Sequence, residues 1–174
     1  AKEHTFAPLF GSSGYGKSKN EKKYYKQFTE KYEGIASWHA DLGEEVLETK
    51  KLVTPTGRQF SFPEVERRDN GQPTFFTKIK NYPVQSVATG DIVPIILIEI
   101  ENRLKSLHSR IVNSVHDSMV IDVHPHETNT VVSIIKDLNN DMVDIIDKKY
   151  AMKMRVPLVL DVALGKNWLD VKEV

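Results

Sequence analysis

Ile111-Val112-Asn113-Ser114-Val115-His116-Asp117-Ser118-Met119-Val120-Ile121-Asp122-Val123 is the stretch of this chain that predicts its fold most directly. Apolar, β-branched residues dominate on both sides and the polar interruption falls in the middle, which is typical of a tight β-hairpin. The carboxylate of Asp117 would lie at the hairpin tip, beside the imidazole of His116. Such a carboxylate can hold a divalent metal ion against a phosphate. The alternative is a hairpin whose turn simply favours polar residues.

The composition predicts a soluble globular chain without disulfides. The 174 residues suit one domain or one and a half. No run of 18 or more apolar residues and no secretory leader are visible, so we expect a cytoplasmic protein with no membrane span. Cys is absent, which excludes disulfides and thiolate metal sites. Lys+Arg and Asp+Glu both number 24, whereas a free-standing nucleic-acid binder is usually basic. A chain that holds both phosphates and metal ions needs both signs of charge.

Two helices are predicted in the first 50 residues. Ser18 and Glu21 have capping-box spacing, which predicts a helix running to about Tyr32. Its aromatic residues recur at three- and four-residue steps and form either a core face or a base-stacking platform. They are Tyr24, Tyr25, Phe28 and Tyr32. A break at Gly34 separates this helix from a second one over residues 36–50, with Trp38, Leu42 and Val46 facing inward.

The rest of the chain alternates between strand and helix patterns. Residues 52–60 predict a hairpin with a Thr-Gly turn. Long helices are predicted over residues 84–107, with an irregularity at Pro94, and over residues 127–150. A last strand is predicted over residues 155–163, with Trp168 packed after it. These elements indicate an α+β fold, in which long helices cover a small antiparallel sheet.

Four segments, in order, resemble the C-terminal part of family A DNA polymerases, and in particular bacteriophage members. The segments are Lys2…Phe6…Phe10-Gly11, Thr54-Pro55-Thr56-Gly57-Arg58, Lys80-Asn81-Tyr82-Pro83-Val84-Gln85…Ala88…Asp91, and Val115-His116-Asp117 followed by Gly165-Lys166-Asn167-Trp168. Each motif alone is weak, but four in order are far less expected by chance in an unrelated α+β domain. The resemblance implies a partial right-hand polymerase fold, with residues 1–50 as the end of the fingers and 51–174 as palm.

The resemblance assigns nucleotide binding to the first segment. Lys2 and Phe6 are four residues apart, so one helical face presents both. Lys2 would bind triphosphate oxygens and count among the catalytic residues, and Phe6 would lie against the sugar and base. Phe10 stands where the family usually has Tyr, near the templating base. The alternative for Lys2 is a solvated surface lysine.

The resemblance also assigns contacts with primed template DNA. These residues are Gly11, Arg58, Asn81, Gln85 and His116. Side-chain amides at positions 81 and 85 can sense minor-groove acceptors that all correct base pairs share. The alternative is a helix cap and a solvent-facing polar residue. The family usually has Arg a few residues before the Asn, and whether Lys78 or Lys80 replaces it is left open.

The catalytic expectation rests on Asp117 as a metal ligand, with His116 on the primer backbone. The resemblance implies two Mg²⁺ ions, shared with a second Asp that would precede residue 1. We therefore expect a DNA-directed DNA polymerase segment that is inactive alone and needs an N-terminal polymerase part. Its other partners would be primed DNA and deoxynucleoside triphosphates, in a host cytoplasm if viral. Ser118 replaces the usual Glu, and the competing hypothesis is a non-catalytic DNA- or protein-binding module on a polymerase scaffold.

Overall fold

A computed structural model of the protein describes residues 9–10 and 18–174. The chain divides into two compact units, the first ending at Val87 and the second running from Ala88 to Val174. The assignment of residues 1–50 to fingers and 51–174 to palm stays a prediction.

Helix α1 spans Lys19–Lys31 and begins with the predicted capping box. The Glu21 backbone N–H donates to Ser18 Oγ at 3.3 Å, and the Ser18 N–H donates to the Glu21 carboxylate at 3.0 Å. Both groups would otherwise lack a helical partner. Tyr25 is buried, whereas Tyr32 is 43% exposed, so the aromatic stripe is only partly a core face.

Helix α2 spans Glu33–Thr49, so the chain breaks at Tyr32 and the predicted break at Gly34 is wrong. Leu42 and Val46 are buried as predicted, but Trp38 is 38% exposed and His39 is buried instead. The reason lies at Gly43, where a Cβ atom would come within 2.9 Å of Phe76 Cε2. The missing side chain lets the 39–43–46 side of α2, rather than the Trp38 side, approach its neighbours.

The first unit is completed by a hairpin and a third helix. Strand β1 (Lys51–Val53) pairs antiparallel with β2 (Gln59–Ser61), as predicted. Helix α3 spans Phe76–Gln85 and therefore starts earlier than the predicted residue 84. The core packs residues from α2, the hairpin, the following loop and α3. These residues are Leu42, Val46, Leu52, Phe62, Val65 and Ile79.

A π-helix over Ser86–Ile92 follows α3, and helix α4 (Val93–Leu104) follows it with Pro94 in its first turn. The irregularity predicted at Pro94 is therefore the wider turn just before it. The stretch Phe76–Leu104 is long and apolar enough to cross a bilayer by length and composition alone. It also carries buried Lys80 and Asp91, which suits a core helix of a globular protein better than a lipid-facing one.

In the second unit, α4 packs against α5 (Thr128–Tyr150), which is preceded by a 3₁₀ turn over Pro125–Glu127. Buried residues recur along both helices at helical spacing. They are Ile95, Ile96, Ile100 and Leu104 on α4, and Val131, Ile135, Leu138, Met142 and Ile146 on α5. The predicted helix over 127–150 and its apolar face are confirmed.

Strands β3 (Arg110–Val115) and β4 (Ser118–Asp122) form the predicted hairpin, with a bulge between Ile111 and Asn113. A last pair joins β5 (Ala163–Leu164) to β6 (Lys172–Glu173). Within the described ranges the strands form three separate two-stranded sheets. The α+β class is confirmed.

The predicted strand over residues 155–163 is wrong, because only Ala163–Leu164 is a strand. The Asn139 side chain explains part of this. Its Oδ1 accepts from the Leu160 N–H at 2.8 Å, and its Nδ2 donates to the Leu160 carbonyl at 3.1 Å. A side-chain amide thus occupies the two backbone groups that a neighbouring strand would use. Trp168, predicted to pack, is 62% exposed.

Candidate functional site

The tip of the β3–β4 hairpin presents Asp117 to solvent. Val115 pairs with Ser118, so His116 and Asp117 form a two-residue loop in which His116 has a φ of 56°. Both loop residues are exposed. The Ser118 hydroxyl donates to the Val115 carbonyl at 2.9 Å, which ties the two strand ends together. The carboxylate at position 117 therefore has open access on a short, tied support.

A single carboxylate is only part of a metal site. In the part of the chain that the structure describes, no three His, Cys, Asp or Glu side chains come together to hold a metal ion. Mg²⁺ prefers oxygen ligands and is commonly bound by one or two carboxylates together with waters and substrate phosphates. The accessible Asp117 oxygens fit one position of such a shell, and the other ligands would come from elsewhere.

The base of the same hairpin is held by Glu127, a residue that sequence reasoning treated only as the start of a helix. Its carboxylate accepts hydrogen bonds from the His108 N–H at 2.9 Å, the Ser109 N–H at 2.9 Å and the Ser109 hydroxyl at 2.6 Å. Ser109 is fully buried, and its Oγ also accepts from the His124 N–H at 3.0 Å. The hydroxyl and the two N–H donors lower the pKa of Glu127 to about 2. We call this arrangement the hairpin clamp.

The hairpin clamp joins segments that lie 18 and 19 residues apart in the chain. It links the residues just before β3 to the turn just before α5, and the Ser109 hydroxyl adds His124, two residues after β4. Because it fixes both ends of the hairpin to a helix start, it positions the tip. Sequence spacing carries no signal for such a contact.

Helix α3 carries the two predicted amides, Asn81 and Gln85, one helical turn apart. Gln85 is exposed and Asn81 is half-buried. The Oδ1 atom of Asn81 is buried without a hydrogen-bond partner in the described chain. An unmet buried acceptor costs about 1–3 kcal/mol and is uncommon in native proteins. The buried Oδ1 is closed to an incoming base, so a contact with the minor-groove acceptors would use the amide N–H groups of Asn81.

The two lysines before Asn81 have different environments. Lys80 is buried with its Nζ 3.9 Å from the centre of the Phe76 ring, and burial lowers its pKa to about 8. Lys78 is exposed, with its Nζ 5.6 Å from the centre of the Phe75 ring. Of the two, Lys78 is the one whose charge a phosphate can reach.

His39 on α2 lies in the field of Lys80 and was missed by sequence reasoning, which placed Trp38 inward. Its Nε2 is buried without a hydrogen-bond partner among the described residues. Burial first, and the Lys80 charge second, lower the pKa of His39 to about 4. The imidazole is therefore neutral at physiological pH.

Arg58 lies in the turn that joins β1 to β2. Its carbonyl accepts from the Thr54 N–H at 2.9 Å, and its own N–H donates to Thr54 Oγ1 at 3.1 Å. Gly57 supplies the left-handed conformation that the turn requires, with a φ of 86°. Arg58 is exposed, so its guanidinium projects from a fixed turn.

The remaining predicted site residues lie near the chain start. Phe10 is half-buried, and Lys2, Phe6 and Gly11 lie outside the described residues. Phe10, Arg58, Asn81 and Gln85 belong to the first compact unit, whereas His116 and Asp117 belong to the second. The described residues that were predicted to contact the nucleotide and the bases therefore lie in the first unit, and the predicted metal ligand lies in the second.

Comparison with known proteins places nearly the whole chain in one family. The DNA polymerase family A profile matches residues 1–170. DNA polymerase I of Lactococcus lactis subsp. lactis (strain IL1403) is 25% identical over 182 residues, covering 99% of this chain and 20% of that protein. The DNA polymerase of Bacillus phage SP01 is 26% identical over 154 residues, covering 87% of this chain and 16% of its own length. The chain therefore spans about a fifth or less of these relatives.

A solved structure supports the fold. The POL domain of Pol1 from M. smegmatis, in complex with DNA primer-template and dNTP, superposes with a TM-score of 0.70. It is 21% identical in sequence, and the match covers 83% of this chain and 26% of that one. At this identity the likeness shows a shared fold, which is a part of a polymerase domain.

Proposed function

This chain belongs to DNA polymerase family A, and from that premise we propose that it supplies the end of the fingers and part of the palm of a DNA-directed DNA polymerase. The hairpin tip carries the proposal. Asp117 is exposed on a two-residue loop, and the hairpin clamp holds the other end of the same hairpin. That combination of open access and fixed support suits a carboxylate that holds a metal ion against a phosphate.

The proposed reaction is nucleotidyl transfer. The primer 3′-oxygen attacks the α-phosphorus of a deoxynucleoside triphosphate, a new P–O bond forms, and the bond to pyrophosphate breaks as the hydroxyl proton is lost. Mg²⁺ held at such a site would neutralise charge on the phosphates and would lower the pKa of the attacking hydroxyl. In this chain Asp117 would supply one oxygen ligand. His116, beside it, would contact the primer backbone.

The other predicted residues would position the substrates. Asn81 and Gln85 would lie against base edges near the primer end, where their amide N–H groups would donate to minor-groove acceptors. Arg58 would contact the DNA backbone. Lys2, Phe6 and Phe10 would bind the incoming nucleotide, with Gly11 next to the template. The chain would be inactive alone, since one carboxylate does not build a two-metal site and an N-terminal polymerase part would supply the other.

Primer extension with matched hairpin variants tests this proposal. The chain, combined with an N-terminal part of a family A polymerase, should extend a primed template in Mg²⁺. Asp117→Asn should lower the extension rate on the order of 10²–10³-fold, the range seen when one group that stabilises transition-state charge is removed. Asp122→Asn is the control, because Asp122 is exposed on the same hairpin but at the end of β4.

Equal loss in both variants would indicate a general effect on the hairpin rather than a role for Asp117. Full activity of the Asp117 variant would contradict the metal assignment. Primed-DNA binding without any extension would favour the non-catalytic module instead.

A further inference from the structure

The solvent-facing side of α1 carries a stripe of lysines that the proposed function does not use. The stripe consists of Lys19, Lys22, Lys23 and Lys26, which we call the lysine face. Spacings of three, four and seven residues place all four on one side of the helix. All four are exposed, whereas Tyr25 on the other side is buried.

The lysine face is almost free of compensating charge. Lys26 has an exposed partner in Glu30, with an N–O distance of 3.8 Å, and such exposed pairs contribute little. The other three lysines have no carboxylate partner among residues 9–10 and 18–174. Glu21, the acid nearest in sequence, is engaged in the capping box on the other side of the helix.

This arrangement works against the stability of α1 itself. Like charges three or four residues apart on a helix repel each other, and the lysine face contains four such pairs. Lys19 is the first helical residue, where a positive charge opposes the helix dipole. A bound anion would relieve both effects, so a polyanionic ligand would stabilise α1.

The dimensions and chemistry of the lysine face suit a DNA backbone. Residues 19–26 cover about 10 Å of helix axis, a length over which a DNA duplex carries about six phosphates. Proteins that hold single strands combine basic residues with aromatic platforms for the bases. The aromatic residues of α1 lie off this face, since Tyr25 is buried and Tyr24 and Phe28 are half-buried. The face therefore offers phosphate contacts without stacking.

We propose that the lysine face of α1 binds the phosphate backbone of duplex DNA. The proposal rests on the proposed function in one respect, namely that the protein holds DNA. It adds a contact surface distinct from Arg58, Asn81, Gln85 and His116, and one that reads no sequence.

The test compares a quadruple variant with a charge-matched control. Lys→Gln at the four positions of the lysine face removes four charges while keeping good helix formers. The control makes the same change at four exposed lysines elsewhere, namely Lys105, Lys148, Lys149 and Lys153. Affinity for a blunt duplex, a primed template and a single strand of equal length is measured against salt concentration, and thermal unfolding is measured without DNA.

We expect the lysine-face variant to bind the blunt duplex at least about ten-fold more weakly at low salt. The slope of log K against log salt should fall by about two, which corresponds to two lost phosphate contacts. The thermal midpoint without DNA should stay level or rise, because the repulsion is gone. A Lys→Arg variant of the same face should keep duplex affinity.

Three outcomes would overturn the inference. They are unchanged duplex affinity, an equal loss in the control, and a larger loss for the single strand than for the duplex. Primer extension separates this inference from the proposed function. A wild-type protein that binds duplex through the lysine face but never extends a primer would retain the inference and refute the proposed function. If the wild-type protein extends a primer but the lysine-face variant keeps its duplex affinity, the proposed function is retained and the inference is refuted.

Discussion

The two compact units differ in how their polar groups are hydrogen-bonded. In the second unit, the Glu127 carboxylate accepts from the His108 and Ser109 N–H groups, and Asp117 at the far end of the hairpin is exposed. In the first unit, two polar atoms are buried without a hydrogen-bond partner among the described residues. They are His39 Nε2 on α2 and Asn81 Oδ1 on α3. The contrast is between a supporting contact whose polar groups are satisfied and buried polar atoms that lack a hydrogen-bond partner among the described residues.

The largest effect is expected from removal of the hairpin clamp, because it would leave polar groups of the second unit without a hydrogen-bond partner as well. Glu127→Ala leaves the His108 and Ser109 donors without their acceptor, so the thermal midpoint should fall and primer extension should drop with it. Glu101→Ala, an exposed acid on α4, is the control and should change neither. Thermal unfolding followed by circular dichroism measures the first effect.

The clamp also predicts a pH dependence. Hydrogen bonding holds the pKa of Glu127 at about 2 in the folded protein, against 4.5 unperturbed. The unfolded chain therefore binds more protons between these values, and stability from the clamp is present above pH 4.5 and is lost as the pH falls toward 2. Glu127→Ala should flatten this part of the stability profile. An unchanged profile would contradict the role given to the clamp.

A middle-sized effect is expected at Asn81. Asn81→Leu removes the unmet buried acceptor at similar volume, so the free energy of unfolding should stay level or rise, while extension efficiency falls about ten-fold for one lost hydrogen bond. Asn102→Leu, at an exposed position on α4, is the matched control. Urea unfolding and steady-state extension give the two readouts. If both fell together, Asn81 would be a structural residue rather than a ligand contact.

The smallest effect concerns Lys80, whose pKa burial lowers from 10.5 to about 8. Between these values the unfolded chain holds a proton that the folded one has released, so wild-type stability should increase as the pH rises from about 8 to 10.5. Lys80→Met should remove that increase. Lys78→Met, which alters an exposed lysine two residues away, should keep it. Urea unfolding at several pH values provides the measurement.

Local patterns predicted much of the fold. The capping box at Ser18, the hairpin over 111–123 and the apolar period of α5 all rely on contacts within a few residues, and all are confirmed. The predicted strand over 155–163 is wrong, since an alternating pattern shows only that a segment is extended and half-buried. The side chain of Asn139, on helix α5, instead forms hydrogen bonds with the backbone of Leu160 in this segment.

The same distinction between short-range patterns and long-range contacts applies to the candidate site. Asp117, Asn81 and Gln85 were predicted from the order of short motifs, because residue type and spacing can be read from the chain, and their roles stay a prediction. Glu127 and His39 were not, because their roles come from partners brought near by folding. The lysine face could be recognised only from the sequence and the structure together. Its spacing is a local pattern, but its exposure depends on which side of α1 is buried.

The sequence by itself determined the family, the elements that close over short range and the residues that can carry the chemistry. Tertiary structure alone decided which polar groups are satisfied and which remain open. The physical reason is that hydrogen bonds and desolvation depend on distances between segments far apart in the chain, such as Ser109 and Glu127, and no local pattern records those distances.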